Sequence, residues 1–337
     1  MGHRFLVIGL GSMGKRRIRN LISIGYSADE IIGIDIKKER RVSIEENFGI
    51  KTYEKIEENF LKFVDIFIIS TPPDAHFESA LIGLQNNKHI FIEASVMSRG
   101  LYELSSEANK RNLIAFPSCT MRYFDGPKGI KKVIHEGLIG KPLFWQYQSG
   151  QYLPDWHPWE SIEDFYVSNP ETGGCREIVP FELGWLEDIF GSFKEVDCRA
   201  EKISDLPIGI HDVYLLTLKH DSGVLGQLAV DVLSRVPIRL MRITGVLGTL
   251  EWSDNSNTIR IFDLATGVWS EHLLKSKNLE KNYINSENPY EDEVKNFLNV
   301  VARSVPLQYT LEHDIEILKV LEAAELASSL RSRVDII

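Results

Sequence analysis

The chain has 337 residues, 43% of them hydrophobic and 26% charged, with a net charge of −10; this is ordinary globular composition, long enough for two cores. The acidic balance argues against a nucleic-acid partner, which normally needs a basic surface. No apolar run approaches the roughly 18 residues of a membrane span, and Cys119, Cys175 and Cys198 have neither paired nor metal-ligand spacing, so the expectation is a reduced, cytoplasmic protein with no metal site and no membrane partner.

The first apolar run, Phe5-Leu6-Val7-Ile8, leads straight into Gly9-Leu10-Gly11-Ser12-Met13-Gly14. A strand that opens through G-x-G-x-x-G into a helix is the phosphate-binding turn of a dinucleotide fold. Gly9 permits the tight turn, Gly11 lets the backbone approach a pyrophosphate, and Gly14 lets helix and strand pack closely. The following helix, over 13–24, aims its N–H groups and positive dipole end at the phosphates. The basic cluster Lys15, Arg16, Arg17 and Arg19 on that helix reads as a solvated face.

A second strand over 31–36 carries Asp35 and Ile36 at its end. An acid there accepts hydrogen bonds from ribose hydroxyls and repels a 2′-phosphate, so NAD is favoured over NADP. Lys37 and Lys38, just beyond, soften that preference. Strands over 66–70, 89–93 and 113–116 follow, with helices over 38–48, 55–63, 74–86 and 99–111 between them. This alternation predicts a doubly wound parallel sheet with right-handed crossovers. Continuous apolar strands such as Ile66-Phe67-Ile68-Ile69 fit burial on both faces.

Past residue 120 the texture changes. Helices are expected over 127–137 and 177–189. Short strands are expected over 143–149, 195–202, 211–219, 224–232, 238–246, 248–252, 258–264 and 268–274. Asp221-Ser222-Gly223 and the stretch from Gly245 to Gly248 read as hairpin turns. Helices over 289–303 and 311–330 close the chain. The fold class is therefore α/β: a Rossmann domain over 1–119, then an α+β substrate and oligomerisation domain over 120–337 with a large, mostly antiparallel open sheet. An open sheet needs cover, which suggests a homodimer or homotetramer formed through it.

The turn Ser70-Thr71-Pro72-Pro73-Asp74-Ala75-His76 and Glu93 at the next strand end join the glycine turn and Asp35 in one pattern. With Met121-Arg122-Tyr123-Phe124, Gly137-Leu138-Ile139-Gly140-Lys141-Pro142 and Thr172-Gly173-Gly174, the whole chain resembles the glucose–fructose oxidoreductase, inositol dehydrogenase and MocA family. The resemblance implies an NAD(P)-dependent oxidoreductase acting on CH–OH groups, with the nicotinamide in a cleft between a Rossmann and a substrate domain. It extends the cofactor set to Ser70, Thr71, Pro72, His76, Glu93 and Ala94.

The chain departs from the pattern of the family it resembles at two places. Most members have Glu-Lys-Pro after the fifth strand, with the lysine moving a proton at the substrate oxygen; here the residues are Glu93-Ala94-Ser95. The second motif usually supplies an acid, then a histidine four residues on, then an acid three further on. Here that spacing gives Glu177, Phe181 and Gly184, with Glu182 beside the vacant histidine position. A positioned acid or base contributes roughly 10² to 10⁴ in rate, so other residues must act or the reaction differs.

The loop Tyr152-Leu153-Pro154-Asp155-Trp156-His157-Pro158-Trp159 mixes aromatic faces with polar groups, a combination suited to a sugar ring. His157 and Glu177 are the catalytic candidates; Arg122, Tyr152, Asp155, His157, Arg176 and Glu182 are the substrate-binding ones. Two arginines would suit a sugar acid or a nucleotide-sugar. The leading expectation is hydride transfer between NAD and a carbohydrate-like alcohol or ketone, with a sugar or nucleotide-sugar as substrate. The alternatives are an NAD-binding protein without turnover, and a lyase, hydrolase or epimerase that uses NAD transiently.

Overall fold

A computed structural model describes residues 2–158, 160–275, 278–280 and 286–336. The chain divides into two compact units, one formed by 1–120 and 278–315, the other by 121–277 and 316–337.

The first unit alternates strand and helix in chain order: β1 (Phe5–Ile8), α1 (Ser12–Ser23), β2 (Ile31–Ile34), α2 (Lys38–Phe48), β3 (Lys51–Tyr53), α3 (Glu58–Leu61), β4 (Ile66–Ile69), α4 (His76–Gln85), β5 (His89–Ile92), α5 (Leu101–Arg111) and β6 (Ala115–Pro117). The strands form a parallel sheet in the order β3-β2-β1-β4-β5-β6. Every residue of β1 and β4 is buried, as continuous apolar strands covered on both faces require. The order reverses between β1 and β4, the switch point where such sheets bind ligands.

The second unit begins with α6 (Asp125–His135), β7 (Pro142–Tyr152) and α7 (Cys175–Phe190). Then follow β8 (Phe193–Glu201), β9 (Val213–His220), β10 (Leu225–Asp231), β11 (Leu233–Gly245), β12 (Gly248–Ser253), β13 (Thr258–Asp263) and β14 (Val268–Leu273). Later in the chain come α8 (Asn288–Val301), α9 (Leu311–Leu330) and β15 (Val334–Asp335). The second sheet runs β14-β13-β12-β11-β7-β10-β9-β8-β15, antiparallel apart from the β7–β10 pair. Both expected hairpins form, β9–β10 and β11–β12. The fold class is as expected. Helices α6 and α7 pack on one face of this sheet. The other face carries Leu215, Leu225 and Leu240, each about half exposed, at 49%, 47% and 47%.

The division of the chain is less simple than a cut at residue 119. Helix α8 joins the first unit, because Val294, Phe297, Val300 and Val301 pack into the same core as Phe5, Val7, Ile18, Phe91 and Phe116. Phe297 meets Phe91 and Phe116 edge-on, with ring centroids 5.4 Å apart in each pair. An edge strand too short and polar to stand out, β3, also belongs to the sheet.

Candidate functional site

In the first unit the glycine turn has the geometry its spacing predicts. Gly9 has φ +87°, and a Cβ there would lie 2.5 Å from the Ser70 carbonyl oxygen. At Gly14 a Cβ would lie 1.8 Å from the Gly9 carbonyl oxygen, so no larger residue fits without moving the turn. Gly11 is the N-cap of α1, with no side-chain cap and no acid in the first turn, which leaves that terminus suited to an anion. Ser12 and Met13 begin the helix, and Met13 sulfur lies 3.8 Å from an Arg16 nitrogen.

Asp35 is buried and held in place by backbone. Its Oδ2 accepts from Leu10 N at 2.8 Å and its Oδ1 from Lys37 N at 2.8 Å. The Arg40 guanidinium lies 3.5 Å from Oδ2, and Ile36 is exposed. Ser70, Thr71 and Pro72 form the β4 exit. Thr71 Oγ1 is shut away from water with no hydrogen-bond partner among the described residues, an open polar position at the strand end. The uncapped helix terminus, the cradle at Gly9 and Gly14, the aligned Asp35 and the open Thr71 hydroxyl together fit a dinucleotide.

His76 is buried, and its Nε2 donates to the Thr71 carbonyl at 2.9 Å. Burial lowers its proton affinity and so favours the neutral ring, which braces the turn. Glu93 is occupied by Arg17, whose Nε donates to Oε1 at 2.6 Å and whose Nη2 donates to Oε2 at 2.9 Å. Ser70 Oγ also donates to Glu93 Oε1, at 3.2 Å. Ala94 is half-buried and offers no polar atom.

The expected solvated face of α1 is not what forms. Arg16 and Arg17 are buried, at 3% and 0% exposure. Arg16 pairs with Glu287 at 2.9 Å. Arg17 bridges Glu93 and, at 2.9 Å, Glu293 of α8. Burial works against the Arg17 charge, and the two carboxylates more than offset it, raising its proton affinity. Glu293 also accepts from Cys119 N at 2.8 Å and Thr120 Oγ1 at 2.7 Å. The reason is long-range: Glu93 is 76 positions from Arg17, and the other two counter-charges, Glu287 and Glu293, lie 271 and 276 positions from their arginines.

In the second unit the expected residues fall into three environments. Arg122 pairs with Asp188 at 2.5 Å, and Lys131 reaches the other Asp188 oxygen at 2.7 Å. Arg176 pairs with Glu325 at 2.6 Å. Arg176 thus has a carboxylate partner within the protein, and Arg122 shares one with Lys131. Glu182 is fully buried and accepts from Tyr147 Oη (2.9 Å), Ser149 Oγ (2.8 Å), Trp185 Nε1 (2.8 Å) and Arg239 Nε (3.3 Å). Such a saturated carboxylate is a core strut, and nothing in its geometry offers a substrate contact.

The third environment brings His157 and Glu177 into one cluster. The His157 ring stacks on Phe165 with centroids 4.7 Å apart, and Phe165 meets Tyr166 edge-on at 5.7 Å. Tyr166 Oη donates to Glu177 Oε1 at 2.9 Å. Among the described residues Glu177 Oε2 has no partner and is out of water, as is Trp156 Nε1. Burial pushes the Glu177 carboxyl up to about 7, with the Tyr166 hydroxyl pulling the other way. His157 Nδ1 lies 3.5 Å from Glu160. Tyr152 is covered by the Arg235 guanidinium at 3.6 Å, and Asp155 is exposed. Trp159 lies outside the described residues. The sequence does not mark Tyr166, because its loop has no period or motif.

Residues 3–115 match a family model described as an oxidoreductase family with an NAD-binding Rossmann fold, and residues 128–251 match the GFO/IDH/MocA C-terminal domain. The chain belongs to the Gfo/Idh/MocA family. It is therefore an NAD-binding oxidoreductase by family. One relative is the Lacticaseibacillus casei inositol 2-dehydrogenase/D-chiro-inositol 3-dehydrogenase, 23% identical over 312 residues, covering 89% of this chain and 84% of that one. Another is the Escherichia coli K12 2,7-anhydro-N-acetylneuraminate hydratase, 22% identical over 231 residues, covering 65% of this chain and 59% of that one. The solved structure of a levoglucosan dehydrogenase with NADH superposes over all of both chains with TM-score 0.84 at 14% identity, a likeness of fold. No described helix is long and apolar enough to cross a membrane.

Proposed function

We propose that the protein oxidises or reduces a neutral polyhydroxylated substrate with NAD(H), and that Glu177 handles the hydroxyl proton. What carries this reading is the Glu177 carboxyl, with one oxygen buried and unpartnered and a proton affinity pushed up to about 7. An acid–base group works best with its pKa near ambient pH. NAD, when bound, supplies or accepts the hydride at the nicotinamide. In the oxidation direction Glu177 Oε2 takes the proton that the substrate hydroxyl sheds. His157, stacked on Phe165, is the second candidate for that work near neutral pH.

A neutral substrate is favoured over a sugar acid or nucleotide-sugar by local charge. Residues 153–177 hold six carboxylates, Asp155, Glu160, Glu163, Asp164, Glu171 and Glu177, against one arginine. That arginine, Arg176, is already paired with Glu325. A hydroxyl both accepts, as Trp156 Nε1 requires, and donates, as Glu177 Oε2 requires, whereas a carboxylate or phosphate oxygen can only accept. The name of the L. casei relative, an inositol dehydrogenase, points to the same class. Following 340 nm absorbance across cyclic polyols, aldoses and the matching sugar acids tests this. Neutral compounds are expected to show kcat/KM at least tenfold above their acid counterparts, and a reversed order would defeat the charge argument.

A second reading, NAD-assisted elimination, hydrolysis or epimerisation, draws on Ala94 and Phe181 standing where most members carry lysine and histidine, and on a relative named as a hydratase. We also propose a homo-oligomer, dimer or tetramer, that covers the Leu215, Leu225 and Leu240 face; a sedimentation mass of one chain at micromolar concentration would rule it out. A cytoplasmic setting suits three buried free thiols.

A further inference from the structure

A carboxyl side chain turns about a broad, roughly two-fold terminal torsion, so its two oxygens exchange unless something holds one of them. At Glu177 the Tyr166 hydroxyl does so: it donates to Oε1 at 2.9 Å, while Oε2 is buried without a partner among the described residues. Tyr166 is itself held. Phe165 lies edge-on to its ring, at 5.7 Å and 81°, and His157 stacks on Phe165 with centroids 4.7 Å apart. Its carbonyl lies 3.4 Å from Thr172 Oγ1, just ahead of α7.

We infer that Tyr166 is the positioning residue of the reaction: its hydroxyl pins Oε1 so that Oε2 is the oxygen presented to the substrate hydroxyl. The inference rests on reading Glu177 as the proton acceptor. When the substrate hydroxyl gives its proton to Oε2, the electron pair of that O–H bond stays on the substrate oxygen. The carboxylate becomes a neutral acid, and the Tyr166 hydrogen bond to Oε1 persists through the change.

Tyr166 also has an electrostatic part. A donor to a carboxylate favours the charged form and so opposes burial. Burial and this hydroxyl are the causes of the Glu177 shift, with no charged partner contributing among the described residues. The nearby charges are engaged elsewhere: Arg176 pairs with Glu325, Glu160 faces His157, and Asp188 on the same helix pairs with Arg122 and Lys131. Removing the hydroxyl therefore leaves burial unopposed.

The test compares wild type, Tyr166→Phe and Glu177→Gln. Titration of the full-length protein by carboxyl-carbon NMR, with Glu177→Gln assigning the resonance, needs no substrate. The expected result is a Glu177 midpoint raised in Tyr166→Phe by about one pH unit. The acid limb of the kcat profile should move by the same amount, with turnover recovering at alkaline pH and KM changing less than kcat. A merely structural tyrosine would lower kcat equally at all pH values. An unchanged midpoint overturns the role of Tyr166 and leaves Glu177 as acceptor. Undiminished turnover in Glu177→Gln overturns the acceptor reading, and the presenting role with it.

Discussion

Replacing Glu177 by glutamine is expected to lower kcat by about 10² to 10⁴ at pH 8, the range that a positioned acid or base contributes. Glutamine keeps the size and the acceptor oxygen for Tyr166, so the variant loses proton transfer with little change in shape. Substrate affinity should fall much less than turnover. The same substitution acts oppositely on stability. Glu177 rises from 4.5 to about 7 on folding, equivalent to about 3 kcal/mol. A raised carboxyl gives its full stabilisation below the unfolded value, and that contribution is lost as pH climbs through about 7. Between pH 5 and pH 8 wild type therefore loses stability relative to Glu177→Gln. Asp314, buried in the first unit and pushed up to about 6 by its burial, adds a loss of the same sign. Denaturation at pH 5 and pH 8 checks both. A variant that is slower and also less stable at pH 8 would contradict this account of Glu177.

Removing the Glu293 carboxylate should be among the most costly single changes in the first unit. Arg17 and Glu293 are completely buried and 2.9 Å apart. Ser118 and Thr120 hydroxyls and the Cys119 N–H also converge on Glu293. Glu293→Ala strands these donors and half of the Arg17 pairing in a dry interior, at a cost of about 3–5 kcal/mol. Gln at this position keeps the acceptor and should lose less. By contrast Glu291, whose bond from Ser23 is exposed, should cost under about 1 kcal/mol on truncation. Urea denaturation of the three variants gives the comparison; equal losses at 291 and 293 would refute the buried-network argument.

The two networks differ in how far the sequence exposes them. The dinucleotide turn is local: each glycine and Asp35 lies within one strand–helix–strand passage, and its backbone demands are written in residue type. The alternation of apolar strands fixes the first sheet for the same reason. Arg17 is the opposite case. On α1 it looks like one more basic residue in Lys15-Arg16-Arg17, and its burial follows from α8, which re-enters the first core far along the chain. Glu182 is misleading in the same way. It adjoins the position where the family usually has histidine, yet four donors from β7, β11 and its own helix consume it. Tyr166 and Glu177 are only 11 residues apart, but an irregular loop between them hides the pairing. What remains legible at Glu177 is an acid after paired glycines, and the structure adds its burial and its open oxygen.

Net hydride transfer without the usual lysine and histidine is distinguished from its alternatives by measuring product and NADH together in one reaction with a neutral polyol substrate and NAD. NADH is expected to accumulate in a one-to-one ratio with oxidised product, at a rate that collapses in Glu177→Gln. Product formed at the same rate with no NADH gained would contradict it and favour the NAD-assisted elimination, hydrolysis or epimerisation reading.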